Sequence, residues 1–173
     1  MRKFASDMYR LPLFIVFLSC CTTACKEEPE VRIERYENGQ ISRKSTLVNG
    51  KKEGLMTDYY NNGSLMAERH FQNGLQQGRT VIYYPGGKLK EVQHYLNGKK
   101  DGGDTLWYEN GSIQFVSTLK EDKLHGYLRK WATDGQMIYE ARYDMDTLVE
   151  VKGAPVQKSN TSAIPSAILK KKE

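Results

Sequence analysis

The 173-residue sequence predicts an all-β chain, a linear array of five 24-residue β-hairpin repeats forming one elongated antiparallel meander sheet. Three observations predict it. A period of 24 runs without insertion from residue 31 to residue 150. The ninth position of each block is glycine: Gly39, Gly63, Gly87, Gly111 and Gly135. The run before that glycine ends in aromatics (Tyr36; Tyr59-Tyr60; Tyr83-Tyr84; Trp107-Tyr108; Trp131), side chains that suit a pleated, half-buried surface.

The chain begins with an address. Residues 1–10 carry Arg2, Lys3 and Arg10 against Asp7, and Leu11 to Ser19 is an apolar run. Nine or ten helical residues rise about 15 Å, half of a ~30 Å hydrocarbon core, so residues 1–19 are expected to be an export signal, not a membrane span. Val16-Phe17-Leu18-Ser19-Cys20 resembles the bacterial lipobox, in which a small residue precedes a cysteine whose thiol is diacylated. The resemblance implies lipid attachment at Cys20, an anchor in a membrane and a place in the bacterial cell envelope, inner or outer. An ordinary secretory signal with clustered cysteines is the alternative. All three cysteines fall within Cys20–Cys25, unlike a disulfide-stapled domain, which spreads an even number through its body. Residues 20–30 then form a linker in which Lys26-Glu27-Glu28 is similar to acidic export tags of surface lipoproteins.

The blocks follow at 31–54, 55–78, 79–102, 103–126 and 127–150. The tight connections Asn38-Gly39, Asn62-Gly63, Gly86-Gly87, Asn110-Gly111 and Asp134-Gly135 are dipeptides that tolerate φ > 0 twice, which predicts two-residue type I′ turns. The second run of each block starts apolar at the eleventh position (Ile41, Leu65, Leu89, Ile113, Met137) and ends apolar at the seventeenth (Leu47, Phe71, Tyr95, Leu119, Tyr143), which predicts one strand face. Polar links return the chain to the next block: NGKKEG, NGLQQG, NGKKDG and EDKLHG. Ten strands result, with a thin core and a stability that sums over neighbours.

The aromatic run, Asn-Gly, aliphatic strand and NGKKxG link resemble MORN repeats, specifically the variant found in bacterial proteins, some of them labelled antitoxins. The resemblance spans residues 31–150 and implies a binding or scaffolding array without a reaction, because enzymes with MORN repeats carry a separate catalytic domain. Two departures stand out. The fourth link has Asp122 in place of its first glycine, and the fifth block has Glu150 in place of its last glycine and Ala132 where others have tyrosine, as a cap would. Residues 151–173, with Pro155, Pro165 and Lys170-Lys171-Lys172, read as a disordered basic tail.

Charge placement and chemistry narrow the function. The chain holds 26 Lys+Arg and 21 Asp+Glu, and its mean hydropathy of -0.65 excludes a multi-span membrane protein. Blocks 31–150 hold 17 bases and 16 acids, so the basic balance sits at the ends and a nucleic-acid footprint is not expected. His70 and His94 share a phase, but Thr46, Thr118 and Arg142 occupy it elsewhere, so no metal set forms. No catalytic arrangement, cofactor loop or small-molecule site is expected, and the glycines follow the repeat instead of a phosphate-binding spacing. Tyr60, Tyr84 and Tyr108 form a row with about 10 Å spacing that is either core or the surface offered to a protein partner. The expected function is a membrane-anchored lipoprotein whose array binds a protein or envelope component. The alternative is an antitoxin or immunity protein that neutralises one toxin.

Overall fold

A computed structural model of the chain describes residues 28–151 and 154–155. They form one antiparallel sheet without helices. Its strands are β1 (Glu30–Arg35), β2 (Ile41–Val48), β3 (Lys51–Tyr59), β4 (Leu65–Gln72), β5 (Leu75–Gln76), β6 (Gly78–Tyr83), β7 (Leu89–Leu96), β8 (Lys99–Lys100), β9 (Gly102–Trp107), β10 (Ile113–Lys120), β11 (Lys123–Trp131), β12 (Met137–Asp144), β13 (Thr147–Val151) and β14 (Ala154–Pro155). Twelve lie side by side in chain order, while β5 and β8 are short extensions paired to β4 and β7. The meander is as expected, but the strand number is not ten. The links are themselves paired strand, and β13 and β14 carry the sheet past the fifth block into the expected tail. Cys20 and residues 156–173 lie outside the described residues.

The two turn families exchange roles relative to expectation. At the ninth-position glycine, Gly39 N donates to Tyr36 O at 2.9 Å and Tyr36 N donates to Gln40 O at 2.8 Å, a pattern that recurs at Tyr60, Tyr84, Tyr108 and Ala132. Only the glycine has positive φ (Gly39, +85°), and Asn38, Asn62, Asn110 and Asp134 do not. This is a type I turn closed by one left-handed residue, not a type I′ turn. Here the Asx side chain works as an acceptor, since Asn38 Oδ1 receives Gln40 N at 3.1 Å and Asp134 Oδ1 receives Gln136 N at 2.9 Å. The two-residue turns with positive φ at both positions lie in the links instead, at Asn49-Gly50, Asn73-Gly74, Asn97-Gly98, Glu121-Asp122 and Met145-Asp146.

A bulge recurs in every hairpin. Tyr59 faces Leu65 while Asp58 faces Ala67, so Met66 is an extra residue in β4. Ser42, Lys90, Gln114 and Ile138 are its counterparts. Opposite residues share a face and successive residues do not. The eleventh position therefore lies on the face of Tyr59, and the seventeenth on the face of Asp58. The expectation that both belong to one face is corrected by this inserted residue.

Most of the core lies along the face of Asp58, while Val81 and Val92 are buried on the opposite face. On the Asp58 face, positions two, thirteen, fifteen and seventeen of successive blocks are buried, including Met56, Ala67, Thr80, Glu91, Gln93, Asp104, Ser117, Leu128, Ala141 and Tyr143. Its contiguous apolar part sits at the C-terminal end, where Leu128, Ala141 and Tyr143 pack with Phe115, Leu124, Tyr139, Leu148 and Val151. The degenerate last repeat thus carries the largest apolar cluster of the core.

Candidate functional site

The register β3–β4–β6–β7–β9 brings Asp58, Ala67, Ile82, Glu91 and Leu106 into one row across the sheet. Around it the buried face is polar. Asp58, 6% exposed, receives Arg43 Nε on Oδ1 at 2.6 Å and Arg69 Nη1 on Oδ2. A single carboxylate thus holds two guanidiniums from the strands on either side. Burial, and secondly the Arg43 charge, draw the Arg69 guanidinium below its ordinary pKa. Further along, Gln93 Nε2 donates to Glu91, Tyr95 Oη donates to Gln93 Oε1 at 2.9 Å, and Gln76 Nε2 donates to Thr80 Oγ1 at 2.6 Å. Lys100 Nζ lies 3.0 Å from Asp104 Oδ2. Buried polar groups that find partners in this way fix register more than they add stability. Sequence reading missed this row. The signal available was polar residues (Asp58, Arg69, Thr80, Glu91, Gln93, Asp104, Ser117) at the in-facing phases of a periodic pattern.

The nominated tyrosines sit at the hairpin ends, half-buried. Tyr60 Oη donates to Tyr83 O at 2.7 Å, Tyr84 to Trp107 O at 2.7 Å and Tyr108 to Trp131 O at 2.9 Å. Tyr36 does the same to Tyr59 O at 2.6 Å. Each bond reaches the next block, so the row is a seam along the array. Burial raises the Tyr60 and Tyr84 hydroxyls above the usual phenol pKa, with Tyr36 and Glu109 respectively as secondary causes. Lys90 Nζ lies over the Tyr84 ring at 5.4 Å from its centre, inside the roughly 6 Å reach of a cation–π contact. What this row leaves for a partner is ring surface, because its hydroxyls are committed.

A second seam runs along the link ends. Gly74, Gly98, Asp122 and Asp146 donate backbone N–H to the carbonyls of Lys52, Gln76, Lys100 and Leu124 at 2.8–2.9 Å. Where glycine gives way to aspartate, the carboxylate takes a further bond. Asp122 Oδ1 accepts Lys100 N at 2.7 Å and Asp146 Oδ1 accepts Leu124 N at 2.8 Å. The lost link glycine is therefore compensated: a residue strained at φ +69° gains an anchor that glycine cannot offer.

The opposite face carries an aromatic at the same position of each hairpin from the second to the fifth, where the first hairpin has Arg35. Thr57, Glu68, Val81, Val92, Thr105, Val116 and Arg129 share it in register, which places Tyr59, Tyr83, Trp107 and Trp131 there two residues on. Leu65, Leu89, Ile113 and Met137 face them. The band opens toward the C-terminal end: Ile113 is 41% exposed, Met137 45% and the bulged Ile138 53%. His70 and His94 are exposed on this same face, and His94 Nδ1 contacts Gly103 O at 2.9 Å. No cluster of three or more metal-ligating side chains occurs among the described residues.

Residues 52–73 and 76–97 match the MORN repeat variant. The two matches begin 24 residues apart, each three residues ahead of the second and third blocks, and so follow the same period. No curated protein matches the chain.

Proposed function

We propose, taking the MORN-variant repeats as premise, that this chain is a non-enzymatic binding protein, a lipoprotein anchored at Cys20 whose array docks a protein or cell-envelope partner on its aromatic face. The observation that carries the reading is the band of Tyr59, Tyr83, Trp107 and Trp131 with Leu65, Leu89, Ile113 and Met137 facing them. No second layer covers it among the described residues. Aromatic and methionine side chains are the types enriched where partners bury one another, and contiguous exposed apolar surface on a soluble face marks such sites. The polar row on the other face keeps the sheet in register and leaves this face to recognition.

A cross-linked pull-down of the full-length tagged chain from its own membrane fraction tests this. The wild type should capture a stoichiometric partner, and Ile113→Ser with Met137→Ser should lose it, since both side chains are exposed and their removal leaves the core intact. Capture undiminished by the double variant would exclude the band as the docking site. A captured protein that is toxic when expressed alone would make the chain an immunity protein; envelope proteins or glycan would make it a scaffold.

A further inference from the structure

We propose that the edge of β1 is a self-association site, at which a second copy of this chain adds its own β1 antiparallel about a two-fold axis at Ile33. The two ends of the sheet are treated differently. At the far end the outermost strand, β14, finishes on Pro155, which has no amide hydrogen to offer. At the near end all six residues of β1 are exposed, with Val31 at 55% and Ile33 at 45%. Tyr36 exchanges its backbone bonds with the turn, so its polar groups face β2. Backbone groups alternate along a strand, so those of Glu34, Arg32 and Glu30 face β2 as well, and those of Arg35, Ile33 and Val31 face outward.

The sequence of β1 selects itself as the occupant. Residues opposite one another in a pair share a face, so the two-fold axis must pass through a residue. Centred on Ile33, the pairing sets Ile33 against the partner's Ile33, Val31 against the partner's Arg35, and Arg32 against the partner's Glu34. The outward residues then exchange about six backbone hydrogen bonds, and both Arg–Glu pairs occupy the closer, non-bonded positions. Every neighbouring register is worse. Centred on Arg32 or on Glu34, like charges meet at the axis; centred on Val31, Ile33 meets Pro29, which lacks an amide. The present partners of these side chains are weak surface pairs, Arg32–Glu30 at 3.4 Å and Glu34–Arg43 at 3.7 Å, and do not hold them back.

The test is sedimentation velocity of the full chain in mild detergent over a concentration series, with Arg32→Glu, Glu34→Arg and the double exchange R32E/E34R. Wild type should dimerise, each single reversal should weaken the dimer roughly tenfold or more, and the double exchange should restore it. Amide exchange on the wild type gives an independent reading that needs no variant. Val31, Ile33 and Arg35 should gain protection with concentration, while Arg32 and Glu34 are protected throughout. A wild type that stays monomeric overturns the proposal, and so does a dimer indifferent to the single reversals. A double exchange that does not recover the dimer would overturn it too. Outward amides protected at every dilution would place the chain's own N-terminal segment on this edge, and would equally overturn it.

Discussion

The Asp58 triad offers the sharpest test of how the buried face is held. Asp58 is 6% exposed, Arg69 25% and Arg43 37%, and Arg43 keeps a second, exposed partner in Glu34 at 3.7 Å. Replacing Asp58 with Ala leaves two guanidiniums facing each other with no anion between them. Removing one partner from a buried pair costs about 3–5 kcal/mol; because both cations reach some solvent, we expect the low end, about 3 kcal/mol. Removing Arg43 alone (Arg43→Met) leaves Asp58 paired to the better-buried Arg69 and should cost about 0.5 kcal/mol. Arg69→Met should cost about 1–2 kcal/mol, since Arg43 still neutralises the carboxylate. The double replacement strands Asp58 in the sheet, so its cost should exceed the sum of the single ones by more than about 1 kcal/mol. Urea unfolding followed by far-ultraviolet circular dichroism measures all four. Tryptophan fluorescence, which reports only on Trp107 and Trp131, should trace the same transition if the array unfolds as one unit. An Asp58→Ala variant as mild as Arg43→Met, or additive arginine replacements, would show that the triad is a solvated surface cluster and refute the reasoning.

Three further outcomes are expected. Cys20→Ser should move the protein from the membrane to the soluble fraction, and unchanged membrane association would end the lipid-anchor reading. Gly87→Val should lower stability by more than about 1 kcal/mol through backbone strain alone, because φ is +82° and a Cβ there meets nothing within 4 Å; a wild-type midpoint of unfolding would contradict the left-handed turn. Asp122→Ala should be more damaging than Asp122→Gly by about 1 kcal/mol. Alanine keeps the left-handed strain and loses the bond to Lys100 N, whereas glycine relieves the first while losing the second. Equal losses in the two variants would remove the compensation argument.

The array was legible because turn chemistry is local. Gly39 and its four counterparts must adopt positive φ wherever the chain closes a hairpin, so their phase survives in the sequence. What was not legible was which of the two turn dipeptides in each block, both Asn-Gly in the first two blocks, makes which turn. Asn38 and Asn49 are each followed by glycine, yet only Asn49 is left-handed, because only there do the flanking residues Val48 and Lys51 pair directly across two residues. The recurrent bulge was invisible for a related reason. Ser42, Met66, Lys90, Gln114 and Ile138 share no chemistry, since an extra residue in a strand demands none, yet each reverses the facing of every residue that follows it in its strand. The buried ionic row was hidden in turn by the bulge, which puts Arg69 on the face of Asp58. Tyr60, Tyr84 and Tyr108 were found as a row, but that their hydroxyls reach the next block follows from the spacing of strands, not from anything tyrosine announces.

The two seams have a consequence for how such a chain can change over generations. Each bond of the tyrosine seam spans 23 residues and each backbone bond of the link seam spans 22, one unit less a step or two. Loss or gain of a single residue inside a block throws both rows out of phase at once. Removal or duplication of a whole block restores every one of these contacts to an equivalent partner. The molecule can therefore lengthen or shorten in increments of about 10 Å, two strands at a time, without renegotiating its interior, and its reach is a dimension that inheritance can adjust like the notches of a ruler.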